Sequence, residues 1–331
     1  MPTVYVTQED TALRKKGERL IVKQGKEKIA DVPLVKVDQV VVFGNASISG
    51  SLISLLLKAE VPIAYLSYYG KYKGRLVPEY SKNSLLRLKQ FEAHKDMKVK
   101  LELTRKIVKG KLTNMRTLLM RDTRETRSEE VKQLCQKMKN IINKIERTES
   151  IDKLRGFEGM GSRYYFSQFN EVLNDSFNFN GRNRRPPKDP VNCLLSFGYS
   201  LLLNDVLAAL YLVGFDPYIG FFHSSQYGKP ALALDLMEEF RPVIVDSVVK
   251  SVINKKMIVS DNFNKTCGTV KMKDKARNKF LEQYEKRLRE EFTHPVFEYK
   301  VTWRRCIELQ ARLISKTINE EIEEYPPLVV K

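Results

Sequence analysis

The chain is poor in the residues that build metal ribbons and disulfide frameworks. Among 331 residues there are four cysteines, Cys135, Cys193, Cys267 and Cys306, far apart and with no Cys-x-x-Cys pair. That spacing excludes a zinc ribbon and a secreted disulfide scaffold, and suits a reducing cytoplasm. The opening MPTVYVTQED has no basic segment followed by an apolar one, so no secretory signal is expected. The most apolar window, LLSFGYSLLLNDVLAALYLVGF at 194–215, is broken by Asn204 and Asp205, which favours a buried core helix over a membrane span. Internal repeats and low-complexity tracts are lacking. Histidine is scarce as well, with only His94, His223 and His294.

Positive charge is what the chain has in excess. Its 58 Lys and Arg against 40 Asp and Glu give a formal net charge of +18. Such an excess repels itself unless a polyanion neutralises it, so nucleic acid is the leading partner class; a surface kept cationic for solubility is the plainer alternative. Length together with a 42% hydrophobic content points to a globular protein of two domains.

The division is expected near residue 83. Over residues 1–83 the stretches TVYVT, RLIVKQ, KIADVPL and VDQVVVFG are rich in β-branched residues and separated by turn signals, and PIAYLSYYG and KGRLVPEY follow as further strands. One helix is expected at 44–61, capped by Ser47 or Ser49, with Leu52, Leu55, Leu56 and Ala59 as its apolar stripe. From Ser84 onward, over 84–331, long charged helical segments take over, with apolar positions such as Leu101, Leu103, Ile107 and Leu112 set among basic residues. A basic helix face is either simply solvated or turned to phosphates. The proline-stiffened stretch NFNGRNRRPPKDPVN at 178–192 reads as a basic loop, in which Asp189 and Pro190 cap and start the apolar helix at 191–212. Beyond 260 the chain is expected to be helical and charged, ending in the polar tail EEYPPLVVK.

Within this cationic chain, GFFHSSQYGKPALALDLMEEFRP at 220–242 gathers acids next to a histidine. Gly228 and Pro230 mark a turn before a helix starting near Ala231. Asp235, Glu238 and Glu239 then stand at i, i+3 and i+4 and share one face, among Leu232, Leu234, Leu236, Met237 and Phe240. Partly buried carboxylates so close together need a counter-charge. The commoner solution is an arginine such as Arg241; the other is a divalent cation, for which His223 adds a neutral nitrogen, a donor set suited to Mg²⁺ or Mn²⁺. In RGFEGMGSRYYF at 155–166, Glu158 is either a helix-start carboxylate or a further acid of that set. Gly159 and Gly161 allow close approach there, while Arg163, Tyr164 and Tyr165 either touch nucleic acid or, as aromatic runs more often do, pack in the core.

The order GFEGMGSRYYF, RRPPKDPVNCLLSFGYSLL and GFDPYIGFFHSSQYGKPALALDLMEEFRPVIVD, with the closing IELQARLISKTINEEIEEYPPL, resembles the CRISPR-associated spacer-acquisition integrases. The resemblance implies an α+β protein, a small N-terminal β-sandwich-like dimerisation domain followed by a larger all-α catalytic domain. It implies a homodimer, two of which flank a dimer of a small ferredoxin-like adaptation subunit to form a heterohexamer on double-stranded DNA. It also implies a Mg²⁺ or Mn²⁺ site on Glu158, His223 and Glu238 with Asp235 as a supporting acid, the choice among Asp235, Glu238 and Glu239 remaining open. Arg163, Arg184, Arg185, Lys188, Lys229 and Arg241 are candidates for holding phosphates, Asn192 matches a polar position of the family as a nucleic-acid contact or as an orienting or capping group, and Tyr165 is a candidate for positioning water or the leaving group. The implied reaction is attack of a fragment's 3′-hydroxyl on a phosphodiester at a repeat end. The competing readings are a metal-dependent nuclease of branched DNA or RNA using water, and a non-catalytic DNA-binding scaffold; a tyrosine recombinase lacks its Arg-His-Arg set.

Overall fold

The computed structural model describes residues 3–79, 81–125, 128–173, 177, 179–183, 186–266 and 268–330. The chain divides into two units, Met1–Tyr80 and Ser81–Lys331. The first is built from strands β1 (Thr3–Val6), β2 (Thr11–Lys15), β3 (Arg19–Gln24), β4 (Glu27–Pro33), β5 (Gln39–Phe43) and β6 (Ala46–Ile48), helix α1 (Gly50–Lys58), and strands β7 (Ile63–Leu66) and β8 (Tyr72–Leu76). They form two four-stranded sheets, ordered β1-β5-β7-β8 and β4-β3-β2-β6. Val40 and Val42 of β5, Leu13 and Leu20 of the other sheet, and Leu52 and Leu56 of α1 share one core. The helix is shorter than the expected 44–61. Gly44 turns the chain at a left-handed φ of 69°, and Ala46–Ile48 then pair with β2 as a strand, so the helix begins only at Gly50.

The second unit is mainly helical: α2 (Ser84–Lys95), α3 (Met97–Asp122), α4 (Glu129–Ile145), α5 (Ile151–Ser167), α6 (Pro190–Val213), α7 (Ala231–Phe240), α8 (Ser247–Asn254), α9 (Asp274–Arg289) and α10 (Trp303–Ile318). Local capping chemistry sets several starts. Asp96 accepts from the backbone of Lys98 and Val99, Ser128 from Val131, and Asp189 from Asn192, with Pro190 at the first turn of α6. The apolar α6 runs through the core, and it alone among the described helices is long and apolar enough to cross a membrane. The Asp205 that interrupts it accepts from Tyr284 at 2.6 Å and Arg304 at 3.0 Å.

An all-α second domain is not what forms. Beyond 260 the chain makes two hairpins, β9 (Phe263–Thr266) with β10 (Thr269–Met272) and β11 (Glu291–Thr293) with β12 (Lys300–Thr302). Threonine or valine stands on at least one side of five of the seven registered pairs, and Phe292 stacks on Trp303 with ring centroids 4.0 Å apart. Charge outnumbers these short β-branched runs in the sequence and conceals them.

Nor is the tail a solvated extension, because Tyr325 and Leu328 are buried. The Leu328 backbone N–H donates to Glu239 Oε2 at 2.8 Å, and Gln310 Nε2 donates to the same oxygen at 3.1 Å. Burial pushes the Glu239 carboxyl up to about 8, against the hydrogen bonds from Leu328, Tyr325 and Gln310 that favour its charged form. Glu239 therefore keeps its proton in the folded chain up to about pH 8 and loses it near 4.5 when unfolded, so folded stability falls as pH rises through that window. Glu239→Gln preserves the acceptor and removes the titration. Its stability relative to the native chain is expected to rise by about 1.4 kcal/mol per pH unit across that window and to level off above it, read from denaturant unfolding at a series of pH values. Parallel pH–stability curves for the two chains would contradict this.

Candidate active site

His223 sits in the turn before α7, on a loop held from below by one carboxylate. Asp235, fully buried, accepts from the backbone N–H groups of Phe221 (2.6 Å), Phe222 (3.0 Å) and His223 (2.8 Å) and from His223 Nδ1 (2.7 Å). Gly220 makes the approach possible: a Cβ there would lie 2.6 Å from the Ala231 carbonyl carbon and 2.7 Å from Asp235 Oδ2. Other helices fasten the same loop. From α2, Gln90 Nε2 donates to the carbonyls of Asp216 and Ile219, both at 2.8 Å, and His94 Nδ1 lies 2.6 Å from the Gly220 carbonyl oxygen. From α5, Arg155 donates to the Phe222 carbonyl at 3.0 Å. With Nδ1 donating to Asp235, the neutral ring keeps its lone pair on Nε2, which stands 3.9 Å from Glu238 Oε1.

Glu158 lies well inside α5 rather than at a helix start, so the dipole reading of its position falls away. Ser162, one turn on, donates to its Oε1 at 2.9 Å. Glu158 and Glu238 both pair with the ammonium of Lys111 on α3, which is 2% exposed and 2.6 Å from Glu238 Oε2. Lys111 was not singled out in the sequence, although a signal exists: it follows the buried Leu103 and Ile107 at four-residue spacing, a charge placed in an apolar stripe. Glu238 also pairs with Arg241 Nη2 at 3.2 Å, so the expected arginine counter-charge is present too. Burial opposes ionisation of Glu238, but Arg241, Lys111 and His223 outweigh it and hold the carboxyl down at about 2. Glu239 turns the other way, toward the tail.

Arg241 opens a π-helical turn, Arg241–Asp246, that continues α7. The guanidinium groups of Arg182 and Arg241 lie 5.1 and 4.9 Å from the centroid of the Tyr199 ring, whose hydroxyl donates to Asp246 at 2.6 Å. Burial raises the Asp246 carboxyl to about 6, against the Tyr199 hydrogen bond and nearby cations. The result is a cleft of about 700 Å³ whose lining includes Lys111, Glu158, Ser162, Arg163, Arg182 and Arg241. Gly159 faces this cleft, while Gly161 serves helix packing, since a Cβ there would lie 2.6 Å from Leu112 Cδ2.

Two expected nucleic-acid contacts are not available to a ligand. Tyr165 is 1% exposed and packs against Phe166 and Phe169. Asn192 is fully buried and folds the basic loop, accepting from Arg182 and the Asn183 backbone and donating to Gly181 and Asp189. Lys188 and Arg163 are exposed, and Lys229 is half-buried beside the exposed turn 224–228. Arg184 and Arg185 lie outside the described residues.

As they stand, no three His, Cys, Asp or Glu side chains among the described residues converge closely enough to ligate one ion. The donor chemistry nevertheless fits a hard divalent cation: two carboxylates face a single buried positive charge, and an imidazole lone pair borders one of them.

The family profile for "CRISPR associated protein Cas1" matches residues 4–286. The chain is 37% identical over 330 residues to a CRISPR-associated endonuclease Cas1 of Thermus thermophilus, covering 99% of this chain and 97% of that protein. It is also 37% identical over 337 residues to a CRISPR-associated exonuclease Cas4/endonuclease Cas1 fusion of Geobacter sulfurreducens, covering 99% of this chain and 60% of the fusion's length. The solved structure of a Cas1 protein from Thermotoga maritima superimposes with a TM-score of 0.83 at 26% identity, covering 96% of this chain and 97% of that one. A profile match over most of the chain, joined to close identity along nearly its full length, establishes that this protein belongs to the Cas1 family.

Proposed function

We propose that the chain is a metal-dependent integrase of CRISPR adaptation, joining the 3′-hydroxyl of a DNA fragment to a phosphodiester at the edge of a CRISPR repeat. The observation that carries this reading is that Glu158 and Glu238 share the buried Lys111 ammonium, with His223 Nε2 3.9 Å from Glu238 and with Glu158 and Lys111 lining a cationic cleft.

Glu158, Glu238 and His223 Nε2 would hold one Mg²⁺ or Mn²⁺ ion, a choice that hard oxygen donors with a single imidazole favour over zinc. The bound ion supplies charge stabilisation at the phosphoryl oxygens and lowers the pKa of the attacking hydroxyl. Asp235 supports the site from behind, keeping the Nδ1 proton of His223 and so the orientation of Nε2. Arg163, Arg182 and Arg241 line the cleft as partners for phosphate oxygens, with Lys188 and Lys229 as outlying contacts. In the joining step the fragment's 3′ oxygen forms the new P–O bond while the bond from phosphorus to the repeat's own 3′ oxygen breaks. One proton leaves the attacking hydroxyl and one is taken up by the departing oxygen, and no side chain is modified. Water in place of the hydroxyl turns the same site into an endonuclease, a second reading that the name of the Thermus relative favours.

The partners that go with this function are a double-stranded DNA fragment and the repeat, a second copy of the chain, and a small ferredoxin-like adaptation subunit, assembled as a heterohexamer. Residues 1–83 act as a β-sandwich-like dimerisation domain and residues 84–331 as the catalytic domain. A cytoplasmic location suits the buried free thiols of Cys135, Cys193 and Cys306.

His223→Ala and Glu238→Ala are each expected to lower strand joining by at least about 100-fold while DNA affinity stays within about threefold, measured with a nicked-repeat joining assay and a binding titration in Mn²⁺. Joining at the native rate by either variant would overturn the assignment. Lys111→Met strips the two carboxylates of their resident charge, so the metal-free protein is expected to melt lower than native and to gain more from added Mn²⁺. Equal Mn²⁺-induced shifts in the two proteins, read by differential scanning fluorimetry, would contradict a shared site for ammonium and metal.

A further inference from the structure

The C-terminal segment Tyr325–Val330 crosses the back of the site, beyond the residues 4–286 that the family profile matches. Three fully buried polar side chains on three helices receive it: Asn114 on α3, Glu239 on α7 and Gln310 on α10. Gln310 Nε2 donates to the Tyr325 hydroxyl at 2.7 Å and the Pro326 carbonyl at 3.2 Å. Leu328 donates its N–H to Glu239 Oε2 at 2.8 Å and accepts from Asn114 Nδ2 at 2.9 Å, and the Val330 N–H donates to Asn114 Oδ1 at 2.9 Å. Asn114 also donates to the Glu239 carbonyl at 3.0 Å, so the same amide ties α3 to α7 directly. Pro327 lies over Gly110, where a Cβ would stand 2.9 Å from Pro327 Cβ.

The anchors on α3 and α7 are next to groups of the site. Glu239 adjoins Glu238 in sequence, Gly110 adjoins Lys111, and Asn114 is one helical turn beyond Lys111. We infer that Tyr325–Val330 is a strap that positions the active site, locking α3 against α7 and so fixing Glu238 relative to Glu158 and Lys111. Without it, Asn114 Oδ1 loses its donor and Glu239 Oε2 loses one of its donors inside the core, where unpaired polar groups are costly, and α3 and α7 are held by fewer bonds. A displacement of about 1 Å in a catalytic constellation is enough to lower rate by orders of magnitude. The strap touches no substrate in this account, and the inference rests on the functional reading of Glu158, His223 and Glu238 given above.

The test compares the native chain, a chain ending at Glu324, Glu239→Leu, Glu239→Gln, Gly110→Ala and Glu238→Ala, with Mn²⁺ affinity read by electron paramagnetic resonance beside joining kinetics and DNA affinity. The shortened chain and Glu239→Leu are expected to bind Mn²⁺ about tenfold or more weakly and to join with a kcat lowered by a similar factor, with DNA affinity within about twofold of native. Glu239→Gln keeps the acceptor for Leu328 and is expected to restore both. The peptide Tyr-Pro-Pro-Leu-Val-Val, added in trans, is expected to return Mn²⁺ affinity to the shortened chain saturably. Gly110→Ala decides the matter if the shortened chain is insoluble: alanine favours the helix, yet its Cβ displaces Pro327, so Mn²⁺ affinity falls while helicity does not. Native Mn²⁺ affinity in the shortened chain or in Gly110→Ala, beside a loss in Glu238→Ala, would overturn the strap alone. Native Mn²⁺ affinity in Glu238→Ala would overturn the functional reading itself.

Discussion

Glu158 and Glu238 come from different helices and face a single buried ammonium, that of Lys111. Buried carboxylates cannot remain ionised side by side without a cation between them, because desolvation penalises each charge and like charges add to the penalty. In this chain the low pKa of Glu238 comes from the positive groups beside it, Arg241 and Lys111, acting against burial. Everything else about the site follows from that constraint. Of the acids on α7, only Glu238 is placed where buried cations surround it.

The surrounding structure serves to keep those groups in register. Asp235 gives up its own chance of facing the cleft, since its two oxygens accept three backbone N–H groups and the His223 ring. That single carboxylate fixes both the loop path and the imidazole tautomer, and glycine at 220 is required because no Cβ fits between Asp235 and the start of α7. Tyr199 performs a related task for the arginines, lying against both guanidinium groups while its hydroxyl reaches Asp246. On the far side, the C-terminal residues close the packing between α3 and α7. The chemistry is thus carried by three side chains, and their geometry by a larger set of buried polar bonds.

Much of this was legible from residue spacing. Helical periodicity put Asp235, Glu238 and Glu239 on one face, and Pro190 after Asp189 marked the start of α6 correctly. Local pattern could not tell that three neighbouring acids have three separate duties: Asp235 holds a loop, Glu238 pairs with Lys111 and Arg241, and Glu239 faces the tail. Two of those duties depend on distant partners: Glu239 meets Gln310 71 positions away and Leu328 89 positions away, and Glu238 meets Lys111 on a different helix. Lys111 escaped notice because it stood among many lysines in a basic helix, and only its place in the apolar stripe marked it. The short hairpins beyond 260 were hidden for a similar reason, since strands of three or four residues give little periodic signal amid charge. Tyr165 and Asn192 mislead in the opposite direction, because each resembles a ligand contact while the Tyr165 ring packs in the core and the Asn192 amide is committed to folding the basic loop.

The central claim is that Glu158, Glu238 and His223 form one cation site that Lys111 fills when no metal is bound. Crystals of the full-length protein soaked in Mn²⁺, with data collected at the manganese absorption edge, test it most directly. An anomalous peak bounded by Glu158, Glu238 and His223 Nε2 is expected, with the Lys111 ammonium moved off at least one carboxylate. A saturating soak that leaves Lys111 bridging both carboxylates, with no peak there or with manganese bound elsewhere, would contradict it.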